Sequence, residues 1–465
     1  MSDHAPLRDA VAAGEVVPLF VVDPYFFAKE RAAELPHRMQ FLLESLERLA
    51  QNLAHLGSRL VVVAGRSVEV VPALAARWKV DRVVAHRWVE PFGRERDRRV
   101  LAALKVPFVL YEGELLAPPA SVLTGAGTPF SVFSPFSRAF RVQVEVGKTS
   151  PAPRKLPGLP DDVRATEAPI PTLASLGLTH NTSLQVGGER AARDRLKAFL
   201  SGTARTYATD RDRMDRAGTS RLSADLKFGT ISVRTVWNAA KDALADAPDQ
   251  LGKFHNELLW REFAHGLLWT RPDLLEHPFR RDFEGFPWRS DPKGWQAWTA
   301  GTTGYPVVDA SARQLLAEGY VHNRARMISA SFLTKHLLVS YREGEAHYLK
   351  YLTDGDWAQN DAGWQWSAGC GCDAQPYFRV FNPTSQGERF DPDGGYVRRW
   401  VPELAKMPAK YIHAPAAAPA EVLAAAGVRL GVTYPRPIVD HATSRARFLA
   451  VAKAHLAKED QGRAG

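Results

Sequence analysis

Two tryptophans, Trp364 and Trp366, stand two residues apart in the stretch NDAGWQWSAGCGCDAQPYF, Asn360 to Phe378, among small residues. Indole is among the most readily oxidised side chains, so this stretch raises the question of electron transfer. Upstream, HNELLWREFAHGLLW puts Glu257, Trp260 and Arg261 at i, i+3 and i+4, so a carboxylate, an indole and a guanidinium share one helix face. That face could hold a substrate, or Glu257 and Arg261 could form a structural ion pair. In HNRARMISASFLTKHLL, Asn323 and Met327 lie one turn apart with Arg326 beside them, an amide and a thioether that line a pocket or fill a core. Gly218 to Ser223, GTSRLS, precedes an amphipathic stretch. Its hydroxyls, backbone N–H groups and Arg221 suit phosphate oxygens, or else a plain helix cap. Asp354 and Asp356 form one Asp-x-Asp without a histidine in the same segment, a weak metal signal; no metal is expected, and hydrogen bonding is the better reading.

These groups need elements to carry them. Up to about residue 130 the chain alternates β-branched runs (15 to 23, 59 to 65, 82 to 88, 107 to 113) with amphipathic helical stretches, the pattern of a parallel α/β sheet. No G-x-G-x-x-G follows a strand, so nothing there marks a dinucleotide site. Residues 131–200 are rich in proline and glycine, as in KTSPAPRKLPGLPDD, and read as a connector. From 201 to 465 the pattern is helical, with periodic segments near 251 to 269, 309 to 317 and 322 to 341, and ten of the twelve tryptophans lie at or beyond Trp237. The unusual chemistry is expected in that half.

Composition bounds the partners. Of 465 residues, 60 are Lys or Arg and 51 Asp or Glu, a net charge of +9 that favours an anionic partner or simply reflects an arginine-rich surface. The start lacks a basic segment followed by an apolar one, and no run of about 18 apolar residues occurs, so neither a secretory signal nor a membrane span is expected. Two cysteines, Cys370 and Cys372, are too few for a disulfide framework, which points to a reducing cytoplasm.

Taken in order, GTSRLS, ELLWREF, GTTGYPVVDA, HNRARMISASFL, DGDWAQNDAGWQW, PYFRVFNPTSQGERFD and YPRPIVDH resemble the DNA photolyase and cryptochrome family from about residue 5 to 450, most closely its class I cyclobutane-dimer enzymes. The resemblance implies an α/β domain, a connector and an all-α domain that holds FAD, with a possible second antenna chromophore. It makes Tyr207, Thr219, Ser220, Arg221, Leu222, Ser223, Arg326, Asp354, Asp356 and Asn360 cofactor contacts, Asn360 facing flavin N5. Glu257, Trp260, Arg261, Asn323, Arg324, Met327 and Trp366 become the lesion pocket. Trp364 and Trp288 become the inner and outer members of an electron relay, with Tyr341 where many relatives carry the middle tryptophan. Small neighbours such as Gly363, Ala368 and Gly369 would let the inner ring approach the flavin. The implied partner is damaged DNA whose pyrimidine dimer is flipped out of the stack, and a monomer is expected.

Two other functions fit the same fold. A cryptochrome usually extends further past the helical domain, and plant or animal forms carry aspartate or cysteine where this chain has Asn360. A (6-4) photoproduct enzyme places histidines in its lesion pocket, where this chain has Asn323 and Met327, neither of which delivers a proton as an imidazolium does. The chain also starts on a helix, APLRDAVAAG, where the family starts on a strand, so the sheet is expected to lack its middle strand. Tyrosine is harder to oxidise than tryptophan unless its proton leaves, so the relay is expected either to slow at Tyr341 or to pass through Trp357, Trp295 or Trp298 instead.

Overall fold

The computed structural model describes all residues except 162, 164–166, 375 and 465, and of 458–464 the backbone alone. Part of the expected connector, at 162 and 164–166, therefore lies outside the described residues. The chain forms two compact units. One comprises Met1–Arg205, Ser220–Pro272 and Thr353–Ala358, the other Thr206–Thr219, Asp273–Leu352 and Gln359–Gly465.

In the first unit the four β-branched runs become strands β1 (Leu19–Val22), β2 (Val61–Ala64), β3 (Val83–His86) and β4 (Phe108–Tyr111). Both pairings are parallel: Leu19 registers with Val61 through Val22 with Ala64, and Val83 with Phe108 through His86 with Tyr111. Among the described residues the strands thus form two two-stranded parallel sheets, β1–β2 and β3–β4. Helix α1 (Ala5–Ala13) belongs to the β3–β4 sheet, with Asp9 2.9 Å from Arg82 and the His4 ring 4.4 Å from that of His86. Only β2 is well buried, against Leu74, Trp78 and Val163.

The proline-rich region differs from a bare connector. It contains α2 (Phe133–Gln143) and α3 (Glu189–Ser201). Phe133, Phe136 and Phe140 recur at i, i+3 and i+7 and bury one apolar face of α2, a short period that the surrounding prolines and glycines obscure in the sequence. That face packs on α4 (Pro248–Thr270), where Phe133 and Phe136 meet Phe263.

The second unit is helical throughout, around Trp298, Val308, Phe332, Tyr348, Trp364, Tyr396, Tyr434 and Phe448. Two of the quoted motifs turn out to be braces for this core. Asp309 is fully buried and accepts hydrogen bonds from the Thr303 backbone and hydroxyl (both 2.6 Å) and from the Tyr434 hydroxyl (2.7 Å). Gly304 lies so close to Arg436 that a Cβ would sit 2.4 Å from its carbonyl carbon, so GTTGYPVVDA and YPRPIVDH fit only because that position is glycine.

The expected single helix over 322 to 341 is broken. It runs as α5 (Asn323–Ser331), widens into a π turn at Phe332–Leu337, and stops at Leu338, whose φ of 60° is left-handed. Ser340 then caps α6 (Tyr341–Tyr351), its hydroxyl accepting from the Arg342 N–H at 3.3 Å. Helix α7 (Trp357–Ala368) follows, and the division between the units falls inside it.

Candidate active site

Within the first unit, α4 presents the Glu257, Trp260, Arg261 face. Trp260 is half-buried, its indole stacked on Phe133 at 3.7 Å and 7° and met edge-on by Phe263, so one face of the ring is fixed by aromatic packing. Arg261 is 3% exposed, and its guanidinium donates to the Glu114 backbone carbonyl at 2.7 Å and lies 3.8 Å from that carboxylate. Glu114 thus holds one side of the guanidinium, while its buried Nη2 makes no hydrogen bond among the described residues. Glu257 remains half-buried on the same helix. Next to Arg261, Glu262 accepts from the Leu116 N–H at 3.0 Å, and burial pushes its carboxyl up to about 7.

The segment 353–358 is clamped by charge within this unit. Asp356, 2% exposed, lies 3.2 Å from the His265 Nε2 and 3.5 Å from the Lys227 ammonium. Burial alone would raise this carboxyl, but His265, Lys227 and Arg261 outweigh it and hold Asp356 well below the usual carboxylate range. Lys227 also reaches Glu90 at 2.7 Å, and Glu90 accepts the Trp357 backbone N–H at 3.0 Å. Arg38 donates to the Gly355 carbonyl at 3.3 Å; its burial pulls it down to about 10 while Glu90, Asp354 and Asp356 push it up. Glu114, His265 and Asp356 bring ligand atoms within 4.8 Å of one another, yet Lys227 and Arg261 already supply the positive charge there. Glu90, Lys227 and His265 went unread in the sequence, because they come from separate segments and no spacing connects them.

The expected phosphate-binding run is divided between the units. Tyr207 is buried with the Arg211 guanidinium over its ring, and the Thr219 hydroxyl lies 3.3 Å from that of Tyr320. A Cβ on Gly218 would come within 2.4 Å of the Asp210 carbonyl oxygen, so only glycine lets the chain turn back there. Across the division, Arg221 adopts a left-handed φ of 51°, Leu222 is buried and Ser223 opens a six-residue helix. A non-glycine residue held at positive φ beside hydroxyls is the kind of local strain that binding loops retain. The buried Thr353 hydroxyl makes no hydrogen bond among the described residues, which leaves it for a polar ligand. Within the first unit, the Arg221 guanidinium and the Ser223 and Thr353 hydroxyls are chemically suited to the phosphate and polar groups of FAD.

In the second unit, Asn323 is exposed and Met327 half-buried, with the Asn323 amide 3.7 Å from the Met327 sulfur. Arg324 pairs with Asp212 at 2.6 Å, and Arg326 donates to the Val321 carbonyl at 2.8 Å. Asn360 donates to the Glu345 backbone carbonyl at 3.0 Å, and Trp366 is half-buried. Trp364 is buried at the centre of an aromatic cluster, 5.2 Å from Tyr348 and 6.0 Å from Trp298, both edge-on. Trp298 in turn stacks on half-buried Trp295 at 5.4 Å. Tyr341 meets Trp288 edge-on at 6.3 Å. Gly344 makes room for the Trp364 ring: a Cβ there would lie 2.2 Å from the indole.

Family models match this chain over residues 1–156, as DNA photolyase, and over 254–454, as the FAD binding domain of DNA photolyase. The chain belongs to the DNA photolyase family. It resembles the deoxyribodipyrimidine photo-lyase of Agrobacterium fabrum, 39% identical over 97% of this chain and 95% of that one. Among solved structures, a class III photolyase from Agrobacterium tumefaciens superposes with a TM-score of 0.90 at 39% identity, covering 98% of this chain and 95% of that one. A cryptochrome from Synechocystis gives 0.89 at 28% identity, covering 97% and 96%. This photolyase is thus a flavin enzyme, and its second unit carries most of the family's FAD-binding domain. No helix among the described residues is long and apolar enough to cross a membrane.

Proposed function

We propose that the protein repairs cyclobutane pyrimidine dimers in DNA, using light and reduced FAD. The observation that carries this reading is the chemistry each unit presents at the motif positions: an indole fixed flat by Phe133 in the first, and an amide and a thioether at Asn323 and Met327, where a (6-4) enzyme carries histidines, in the second. The nearest histidine in sequence, His322, is 4% exposed, and burial pulls it down to about 4, so it is neutral at physiological pH and cannot serve as the acid that a (6-4) product requires. Trp260 offers a dimer a flat apolar surface, and Asn323 offers it hydrogen bonds. Basic side chains supply phosphate contacts without reading sequence, in keeping with a net charge of +9. The class I assignment suggested by the motifs is part of this proposal, and the class III label of the Agrobacterium tumefaciens enzyme competes with it.

When bound, FAD supplies the photochemistry, giving an electron to the dimer and taking it back. The chain's own part is to hold the dimer and to return electrons to the cofactor between repair cycles. For the second task we read Trp364 as the inner donor, with Gly344 keeping its ring in place and two aromatic routes available behind it. One runs through Trp298 to Trp295 by successive ring contacts, the other through Tyr341 to Trp288.

The test is repair of ultraviolet-irradiated oligo-dT under blue light by purified, chemically reduced enzyme. Restoration of dimer-containing thymines is expected, with binding that weakens as salt rises, by a log-log slope of about −0.9 per phosphate contacted on duplex DNA. Repair confined to the (6-4) product would overturn the assignment, and light-dependent flavin chemistry without any repair would favour the cryptochrome reading.

A further inference from the structure

Tyr341 stands at the middle relay position with its ring in contact with Trp288, yet its buried hydroxyl makes no hydrogen bond among the described residues. A phenol that loses an electron must also lose its proton, so the ring is placed to conduct while the hydroxyl waits for an acceptor. Glu345 follows Tyr341 by four residues on α6 and therefore shares its helix face. It is 5% exposed, and Asp361 of α7, 3% exposed, faces it. We propose that the buried carboxyl pair Glu345–Asp361 is the proton acceptor for Tyr341 and, according to its own protonation, selects which aromatic route drains the hole from Trp364. The inference rests on the relay reading given under Proposed function.

The surroundings of the pair support the role. Arg342, the cation nearest Glu345 at 4.0 Å, donates to the backbone carbonyls of Leu275 at 2.5 Å and Leu274 at 3.4 Å, so it only partly offsets the carboxyl charge. Gln365 donates to Asp361 at 2.9 Å and orients it. Burial, then the neighbouring acid, pushes Glu345 up to about 8, and burial pushes Asp361 up to about 7. The other ionisable groups that face this cluster are unsuited to accept the proton. Cys370 is driven well above the ordinary thiol value by burial and remains a thiol, and Arg280, which faces it, is a cation. Lys335, also beside Cys370, is pulled down to about 7 by burial and titrates in the same range, but its Nζ is engaged with the Arg379 carbonyl at 2.9 Å, so Lys335→Met is the control that separates its titration from that of the pair.

The step balances with one electron and one proton. FAD, when bound, would supply the oxidant; with a hole on Trp364, the electron of Tyr341 would pass to the Trp364 cation and the phenolic proton from Oη to a carboxylate of the pair. The products are a neutral tyrosyl radical, a neutral indole and a carboxylic acid. Below about pH 7 the pair holds its protons, Tyr341 has nowhere to lose one, and the hole leaves through Trp298 and Trp295. Above about pH 8 the pair is ionised and the Tyr341–Trp288 route opens.

Flash photolysis of the FAD-loaded enzyme at about pH 6 and about pH 9 tests this, with infrared titration of the dark enzyme as an independent readout. A tryptophanyl radical is expected at the lower pH. The tyrosyl yield should rise about tenfold at the higher one, following the carboxylate fraction. The carbonyl band of the pair, isolated as the difference between the enzyme and the Glu345→Gln and Asp361→Asn variants because Glu262 also titrates near 7, should vanish over the same interval. Glu345→Gln and Asp361→Asn, each checked for flavin content, should both blunt the tyrosyl rise and alter that band. A tyrosyl yield that is equal at both pH values, absent at both, or still pH-dependent in both variants overturns the proposal. So does a dark enzyme without the protonated-acid band at pH 6. If neither radical forms at any pH while the infrared titration behaves as expected, the relay reading itself has failed.

Discussion

Asp356 and Asp361 lie five residues apart and are almost equally buried, at 2% and 3% exposure, yet their surroundings shift the two carboxyls in opposite directions. Asp356 meets Lys227 and His265 and is held ionised well below the usual range. Asp361 meets another acid and an amide, and is pushed up to about 7. The contrast extends to the segments that contain them. Residues 353–358 are fixed by a charge network, whereas beyond 359 Asp361 is bonded to Gln365 and Trp364 packs among aromatic rings. Burial raises the cost of either charge state being wrong, and the partner decides which one is right.

The largest effect should come from breaking the charged side of this contrast. Lys227→Ala leaves Asp356 and Glu90, 2% and 4% exposed, without their shared ammonium, and removing one partner of a buried ion pair costs about 3–5 kcal/mol. Denaturant unfolding should show that loss, and the purified variant should retain less flavin, because the 353–358 segment loses its anchor. A variant of unchanged stability and full flavin content would mean that His265 and Arg261 suffice to hold Asp356.

On the aromatic side, Trp364→Phe removes the oxidisable ring but keeps much of its shape, so photoreduction should slow strongly while repair by chemically reduced enzyme stays nearly intact. At neutral pH, Trp298→Phe is expected to slow photoreduction more than Tyr341→Phe does. Trp298 makes a ring contact with Trp364 at 6.0 Å and another with Trp295, while the Tyr341 hydroxyl has no bonded acceptor. Transient absorption separates the routes by the identity of the radical. Complete loss of photoreduction in Tyr341→Phe, with Trp298→Phe unaffected, would reverse the assignment.

The same two regions differ in what the sequence reveals. Strand runs, the long helix Pro248–Thr270 and the tryptophan-rich stretch announce themselves by local periodicity or composition. The α2 helix was hidden because eleven residues bearing three phenylalanines sit between long proline- and glycine-rich runs. The break at Leu338 leaves no cue either, since a leucine in the left-handed region is imposed by packing and not by its own preference. Site residues followed the same rule. Trp260 and Asn323 could be singled out because motif and helix face coincide. By contrast the Arg261 contact with Glu114 could not be read because the two are 147 residues apart, and Gly344 was missed because the ring it accommodates lies on another helix.

The smallest predicted effect sharpens the comparison without any light. For Glu345 and Asp361 the folded-state values, about 8 and about 7, lie above the ordinary carboxylate value, so the native state binds more protons than the unfolded one through the intervening range. By linkage the stability these groups contribute is fully present below about pH 4 and declines as pH rises through about 7 to 8. Asp356 has the opposite sign: its folded value is depressed, so its contribution is present at neutral pH and is lost only as acid protonates it. Melting temperature should therefore fall at both ends, for different reasons. Asp361→Asn relieves the alkaline limb, since it deletes one titrating acid and lets Glu345 ionise with less repulsion. The expected gain near pH 9 relative to pH 6 is small, about 2 °C for each proton released over one pH unit, because such a proton is worth about 1.4 kcal/mol and a large chain converts that into few degrees. The acid limb should be unmoved by Asp361→Asn. A melting curve whose alkaline limb ignores that substitution would show that the pair is already ionised in the folded enzyme, and Asp361 would then stand with Asp356 instead of against it.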